Sequence, residues 1–306
     1  MRLLWIIICS LSNMFTVLLL APLLEGVLRK LTAWVQSRQG PPLWQPYFDL
    51  LKLLGKEDLE SGELPVVQQF SACLSLAATL TVATLLPLGS SSPLQERADA
   101  ILLIYLLVLC GGATLLAGLS AGSTYSLIGV SREMMTAITL EPLFVMAVVV
   151  GGLNIHSFRL ESVLDGSPYA SAHFPWSGLI MLGVLGFSLQ AFVNRVPFDI
   201  GEAETEIMEG PLMEYSGPKL ALFKYAQMVR LVIFAALFIN LFLPLGNDWS
   251  FPLGLLVFWG KVLLLVAAIT VIAATHARLR IDQAMRYFAG LAGISLVALV
   301  LAVCGY

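Results

Sequence analysis

Apolar residues fill most of the chain in eight long blocks, near 3–28, 66–88, 98–120, 133–155, 176–196, 220–244, 252–275 and 286–305. Each block is long enough to cross a hydrocarbon core as a helix, which takes ~20 residues. Short polar stretches separate them. The pattern predicts an all-α integral membrane protein, a polytopic bundle of about eight transmembrane helices forming a single transmembrane domain over 1–306. Between the first two blocks a Gly40-Pro41-Pro42 turn precedes a run from Trp44 to Leu54. On a helix this run sets Phe48, Leu51 and Leu54 on one face and Asp49, Lys52 and Lys56 away from it. That predicts an amphipathic helix lying along the membrane surface. The first and last blocks are not copies of each other and no internal repeat is visible, which weighs against the repeat-built transporter folds. The apolar N-terminus lacks a small-residue cleavage site and reads as a retained first helix.

Charge changes the picture by its placement. Only 12% of residues are charged, about half the share in a soluble domain. Arg29, Lys30, Arg38, Lys52 and Lys56 lie between blocks one and two, and Arg132 follows block three. Arg195, Lys219 and Lys224 flank the loop after block five, and Arg278, Arg280 and Arg286 lie between the last two blocks. The alternate loops hold only Arg2, Arg97 and Arg159. The positive-inside rule then predicts a multi-pass protein of the cell inner (cytoplasmic) membrane with both termini outside. Nothing in this charge pattern suggests nucleic acid as a partner. The lipid bilayer is the surrounding solvent.

The loop after block five is the densest chemical feature. It packs Asp199, Glu202, Glu204, Glu206, Glu209 and Glu214 into sixteen residues. Asp199, Glu202, Glu206 and Glu209 are spaced to form one stripe on a helix. A plain reading has Asp199 as N-cap, Glu202 at the third helical position and Gly210-Pro211 ending the helix. Capping leaves Glu206, Glu209 and Glu214 unexplained, and crowded acids raise one another's pKa, as a proton store or relay needs. A solvated helix face and a proton relay both fit.

Glu141 lies ~12 Å into the fourth block, at ~1.5 Å per residue. Pro142 follows it, freeing the carbonyl of Ile138 and predicting a kink beside the acid. A carboxylate at this depth marks an ion path or a buried ion pair, with Lys261 and Arg230 as natural counter-charges. Glu25 and the pair Arg132-Glu133 open or close their blocks and read as snorkelling to the interface. Arg278, Arg280 and Asp282 form a charged knot before the last block. Trp34, Trp44, Trp176 and Trp249 read as an aromatic belt. The cysteines, Cys9, Cys73, Cys110 and Cys304, are scattered without a Cys-x-x-Cys pair, and the three histidines are dispersed. No metal or redox cofactor is expected in this chain.

Four collinear motifs resemble a known family. Pro197-Phe198-Asp199, Glu202-Ala203-Glu204, Glu206 and Glu214-Tyr215-Ser216-Gly217 resemble the signature of NADH dehydrogenase subunit 1, the eight-helix core subunit of respiratory complex I. Arg38-Gln39-Gly40-Pro41 with Gln45-Pro46 and Asp49 to Leu54 resembles its first loop. Ser131-Arg132-Glu133 with Glu141-Pro142-Leu143 is similar to its acid-bearing helix, and Lys261 with Arg278 to Gln283 to its final loop. Three departures, the short first loop, Glu209-Gly210-Pro211-Leu212 and Lys224-Tyr225-Ala226-Gln227, look like the membrane subunit of energy-converting nickel–iron hydrogenases, of the formate hydrogenlyase subunit 4 type.

The resemblance implies a non-catalytic coupling subunit. It would dock a cytoplasmic hydrogenase module through Arg38, Gln45, Asp49 and Lys52. It would pass that module's electron transfer to a proton or sodium path through the six loop acids, then Glu133 and Glu141. Arg132, Lys261, Arg278 and Arg280, with Glu25 and Asp282, would tune the path. The implied partners are the hydrogenase large and small subunits, an iron–sulfur subunit and an antiporter-like membrane subunit. The nickel–iron centre and iron–sulfur clusters would sit in those partners. A quinone-site subunit of a complex I-type enzyme and a stand-alone cation/proton exchanger using Glu141 and Lys261 remain as alternatives.

Overall fold

The computed structural model describes residues 2–59, 64–89, 94–165, 176–243 and 252–305, apart from the side chains of 2–4, 96, 204 and 205. Every predicted block is a helix. They are α1 (Arg2–Val35), α3 (Pro65–Leu85), α4 (Ala100–Ser120), α5 (Thr124–Ile155), α7 (Trp176–Phe192), α9 (Gly217–Phe242), α10 (Leu253–Thr275) and α11 (Ile281–Val303). The interfacial α2 (Gln45–Leu54) and the short α6 (Leu160–Leu164) and α8 (Glu204–Ile207) complete the set, and the described residues contain no strand. Of the eight block helices, all but α7 are long and apolar enough to cross a membrane, and α7 is an apolar helix of 17 residues. This is a multi-span membrane protein.

The spans alternate in direction, so the basic loops gather at one end of the bundle. Leu279 N–H donates to the Pro197 carbonyl there at 3.0 Å, and Lys219 pairs with Asp58 at 3.3 Å. At the opposite end Asp99 bridges to Arg159 and Asn240 donates to the Pro87 carbonyl at 2.9 Å.

α9 is the hub: 78% of its most apolar stretch is buried, against 28% in α1, α4, α10 and α11. It packs against α1, α2, α3, α7 and α10. The outer helices therefore turn an apolar face outward, which only lipid or another membrane chain can solvate. In the core, Phe192 stacks on Phe234 with ring centroids 5.0 Å apart, and Phe144 meets both edge-on.

Helix α1 runs straight past Pro22, whose ring nitrogen cannot donate to the Leu18 carbonyl one turn back. The Tyr225 hydroxyl of α9 donates to that carbonyl instead, at 2.6 Å. The Tyr47 hydroxyl of α2 donates to the next carbonyl, that of Leu19. Sheltered from water, the open Leu18 carbonyl would be costly; Tyr225 removes that cost, and the two tyrosines tie α1 to α9 and α2. Helix α2 is amphipathic as its periodicity predicts. Leu50 and Pro46 are buried, while Trp44, Phe48, Leu51 and Leu54 are exposed.

Two spans have bounds that hydropathy misplaces. α5 begins at Thr124, where Ser123 Oγ accepts from the Ser126 N–H at 3.4 Å. Arg132 and Glu133 therefore lie more than two turns inside the helix and do not open it. α7 ends at Phe192, short of the expected 196. Asn194 adopts φ 51°, its N–H donates to the Ala191 carbonyl, and Arg195 N–H donates to the Gln190 carbonyl. This is a Schellman stop with asparagine in the left-handed position.

Candidate functional site

The acidic loop is not a helix. Only Glu204–Ile207 forms a helical turn, and Met208, Glu209 and Gly210 follow with φ of 48°, 69° and 53°. Three consecutive left-handed residues cannot continue a right-handed helix. The expected carboxylate stripe, with Asp199 as its cap, is thus replaced by a chain of turns.

Close packing imposes this path. The Gly210–Leu212 3-10 turn lies against α5 at Gly129. A Cβ on Gly129 would sit 2.7 Å from Gly210 Cα and 2.7 Å from Pro211 Cδ. A Cβ on Gly201 would come within 2.3 Å of Glu133 Oε2. Bare backbone at both places lets the loop press onto α5 and brings Glu133 to it.

Around the rim, each acid meets a cation. Asp199 Oδ2 accepts from Arg278 at 2.8 Å, Glu206 Oε2 accepts from Arg132 and Glu209 pairs with Lys224 at 3.3 Å. The Arg132 hydrogen bond, against a smaller effect of burial, holds the Glu206 carboxyl below its usual value. Glu25 is buried on α1 and accepts from Arg195 and, at 3.5 Å, from Arg29. Arg29 also donates to Asp49 at 2.7 Å, and Gln45 donates to Asp49 at 3.0 Å. Burial pushes the Asp49 carboxyl up, but these two hydrogen bonds, with the charges of Arg29 and Lys52, outweigh it and hold the group low.

Deeper in, the pattern changes. Glu202 Oε1 accepts from the neutral amide of Gln227 at 2.6 Å. Glu133 Oε1 accepts from Asn194 at 3.1 Å. Burial first, then the charges of Glu133 and Asp199, push the Glu202 carboxyl up to about 7, with Lys224 and Arg230 opposing. A carboxyl there changes protonation near neutral pH.

These groups line two adjoining cavities. The larger, about 570 Å³, is walled by Glu25, Arg29, Arg195, Asp199, Glu202, Glu209, Lys224 and Arg230 among others. The smaller, about 60 Å³, runs between α4 and α5 and holds Glu133, Thr136 and Glu141. Among the described residues, Asn194 and Arg230 alone line both. One cavity lies at the acidic loop and the other at the acid beside Pro142, through which α5 stays helical, and the two meet at these side chains.

Several expected positions fall elsewhere. Lys261 is not beside Glu141: its Nζ donates to the Leu243 carbonyl at 2.8 Å. Leu243 is thirteen residues beyond Arg230 on α9, ~20 Å along the axis. Arg230, which lines the cavity with Glu141, is the cation placed to serve it. Glu25 and Glu133 do not snorkel, since each has a partner inside the protein, while Arg132 reaches out to Glu206 on the exposed rim. The charged knot opens out, since Arg278 turns inward to Asp199 while Arg280 and Asp282 are exposed on α11's first turn. Glu214 is half-buried and lines neither cavity. The Glu204 side chain and Trp249 lie outside the described residues. Of the first-loop positions, Arg38 and Lys52 are exposed, while Gln45 and Asp49 are held by the Arg29 network.

Residues that sequence reasoning passed over are Asn194 and Gln227. A signal existed for the first, because an asparagine just past an apolar block is a common helix stop. Gln227 carries none, since its role depends on α9 facing the loop.

The family model described as NADH dehydrogenase matches residues 8–303. Hydrogenase-4 component C of Escherichia coli K12 is 33% identical over 280 residues, covering 90% of this chain and 89% of the relative. Formate hydrogenlyase subunit 4 of the same strain is 33% identical over 295 residues, covering 91% and 94%. NADH-ubiquinone oxidoreductase chain 1 of Paracentrotus lividus is 32% identical over 286 residues, covering 90% and 87%. A chain from the structure of the membrane-bound sulfane sulfur reductase, an archaeal respiratory membrane complex, superposes with a TM-score of 0.87 at 25% identity, over 97% of this chain and 99% of that one. Such relatives are subunits of multi-subunit membrane complexes. With a full-length family match and relatives at this level of identity, the chain belongs to the NADH dehydrogenase subunit 1 family.

Proposed function

We propose that this chain is the membrane coupling subunit of an energy-converting nickel–iron hydrogenase complex in the cytoplasmic membrane, with its basic end and acidic loop on the cytoplasmic side. The observation that carries the reading is the pair of adjoining cavities from the acidic loop to Glu141. A docked module that changes charge during electron transfer would shift the protonation of Glu202, already poised near neutral. Glu133 and Asn194 then connect Glu202 to Glu141. Arg38 and Lys52, with the rim pairs Arg132–Glu206 and Arg278–Asp199, form the surface on which the module would dock. The hydrogenase large and small subunits and an iron–sulfur subunit would bring the nickel–iron centre and clusters. This chain's four cysteines are dispersed over α1, α3, α4 and the C-terminal residues, and no three described His, Cys, Asp or Glu side chains converge to hold a metal. An antiporter-like subunit would continue the ion path within the membrane.

The larger cavity argues against a quinone site, because eight of its lining side chains are charged and small-molecule pockets are mostly apolar. A sulfur-reducing module in place of the hydrogenase is the second reading, favoured by the near-complete superposition on the archaeal chain. The test is the nickel content of the complex that co-purifies with this chain from native membranes in mild detergent. About one nickel per chain is the expected result. Absence of nickel with sulfane sulfur reduction would support the second reading, and absence with bound flavin and quinone would overturn both.

A further inference from the structure

The boundary between the two cavities is formed by side chains that are not acids. Among the described residues Asn194 and Arg230 alone border both spaces. Asn194 is fixed by the Schellman stop of α7 and by its bond to Glu133. Arg230 projects from α9, the most buried helix, with its guanidinium 5.6 Å from the centre of the Phe234 ring. Phe234 is itself stacked on Phe192, so the guanidinium rests on a rigid aromatic floor.

The pairing of the cavity's cations singles Arg230 out. Arg29 and Arg195 share Glu25, and Lys224 pairs with Glu209. Among the described residues Arg230 has no ion pair, so its charge is not cancelled by a dedicated carboxylate. Guanidinium stays protonated at any physiological pH and offers five donors and no acceptor. It gives a metal cation nothing to bind.

We propose that Arg230 makes this path proton-selective: its fixed charge at the constriction bars sodium and potassium, while protons cross from Glu202 towards Glu141. This rests on the ion-path reading above and adds to it which ion is carried. At ~6 Å and an effective dielectric of ~20, a unit positive charge lowers the occupancy of another cation by about a hundredfold. A fixed arginine excludes cations from membrane pores in the same way. A proton crosses without any free cation when the relay starts at the acceptor. Water gives a proton to the Glu141 carboxylate. The hydroxide left behind, attracted by the guanidinium, is reprotonated through the water by the Glu202 carboxyl, so that the O–H bond broken at Glu202 is replaced by one formed at Glu141. The smaller cavity has room for a few waters.

The test uses the whole complex in sealed vesicles, with turnover-driven proton uptake and 22Na+ uptake both counted per electron pair. The flux that belongs to this path is the part abolished by Glu141→Gln. In the wild-type chain that part is expected to be protons alone. With Arg230→Gln it is expected to include 22Na+, raised tenfold or more. Arg230→Lys, which keeps the charge, is expected to restore exclusion and so separates selectivity from a folding defect. Glu141-dependent 22Na+ uptake in the wild type, or unchanged selectivity in both Arg230 variants, would overturn the proposal. If Glu141→Gln changes no ion flux, the ion-path reading falls and this inference with it, whatever Arg230 does.

Discussion

The rim of the acidic loop and its interior use the same side chain in opposite ways. On the rim, Asp199, Glu206 and Glu209 each meet a cation within ion-pair distance. In the interior, Glu202 and Glu141 form no ion pair among the described residues. Glu202 is bonded to an amide, and both face Arg230 across open space. Pairing makes an acid a structural tie; withholding the pair while keeping it from bulk water makes it a proton carrier. The difference is not in residue type or sequence spacing. It comes from which helix each turn of the loop presses against.

The harshest way to break this contrast is to displace the loop. Gly129→Val would set a side chain where Gly210 and Pro211 now lie. The expected result is loss of assembled complex by tenfold or more on native gels, with Gly129→Ala intermediate. Glu141→Gln attacks only the interior: ions moved per electron pair should fall at least tenfold, while dye-linked electron transfer in the assembled complex stays within about twofold. Equal loss of both would make Glu141 a structural residue.

Glu25→Gln tests the tied class, leaving Arg195 and Arg29 facing each other without their buried acid. Full burial would make the loss ~3–5 kcal/mol; both arginines are partly exposed to the cavity, so ~1–3 kcal/mol is expected. A fall of several degrees in apparent Tm would show it. Glu202→Gln sharpens the interior class through pH. A carboxyl raised from 4.5 to about 7 favours the folded chain below its unfolded pKa, and this contribution is lost as pH rises to about 7. The variant carries no such dependence. Its apparent Tm relative to wild type should therefore climb by a few degrees between pH 5 and pH 8, and the step in coupling efficiency near pH 7 should flatten. Glu206→Gln removes an exposed rim pair worth at most ~1 kcal/mol. Its Tm should barely move, and a large drop would mean that the rim is more than a set of solvent-facing ties.

The helices themselves were legible in the apolar blocks, because a bilayer demands ~20 apolar residues per span, a requirement local in sequence. Glu141 stood out for the same reason, as did the amphipathic α2. The start of α5 was not readable, and hydropathy carried α7 past its asparagine stop. Arg132 and Glu133 open a block by hydropathy but sit within a helix, where Glu206 and Asn194, more than sixty residues away, accept from or donate to them. Lys261 and Arg230 looked equally suited to Glu141, since depth along a span is visible in sequence while facing direction is not.

The acidic segment divides the two kinds of information most clearly. Its composition alone announces proton chemistry or docking, and its motif announces the family. Spacing then predicts a helical stripe, because i, i+3 and i+4 positions share a face only if the backbone is helical. The tertiary structure decides otherwise: contact with Gly129 and three left-handed residues turn the loop over itself. Membrane class, span number and the identity of the acids were thus determined by sequence, through the solvent each segment must satisfy. Which acids are tied and which are free to carry protons was decided only by packing, because pairing depends on distances between helices far apart in the chain.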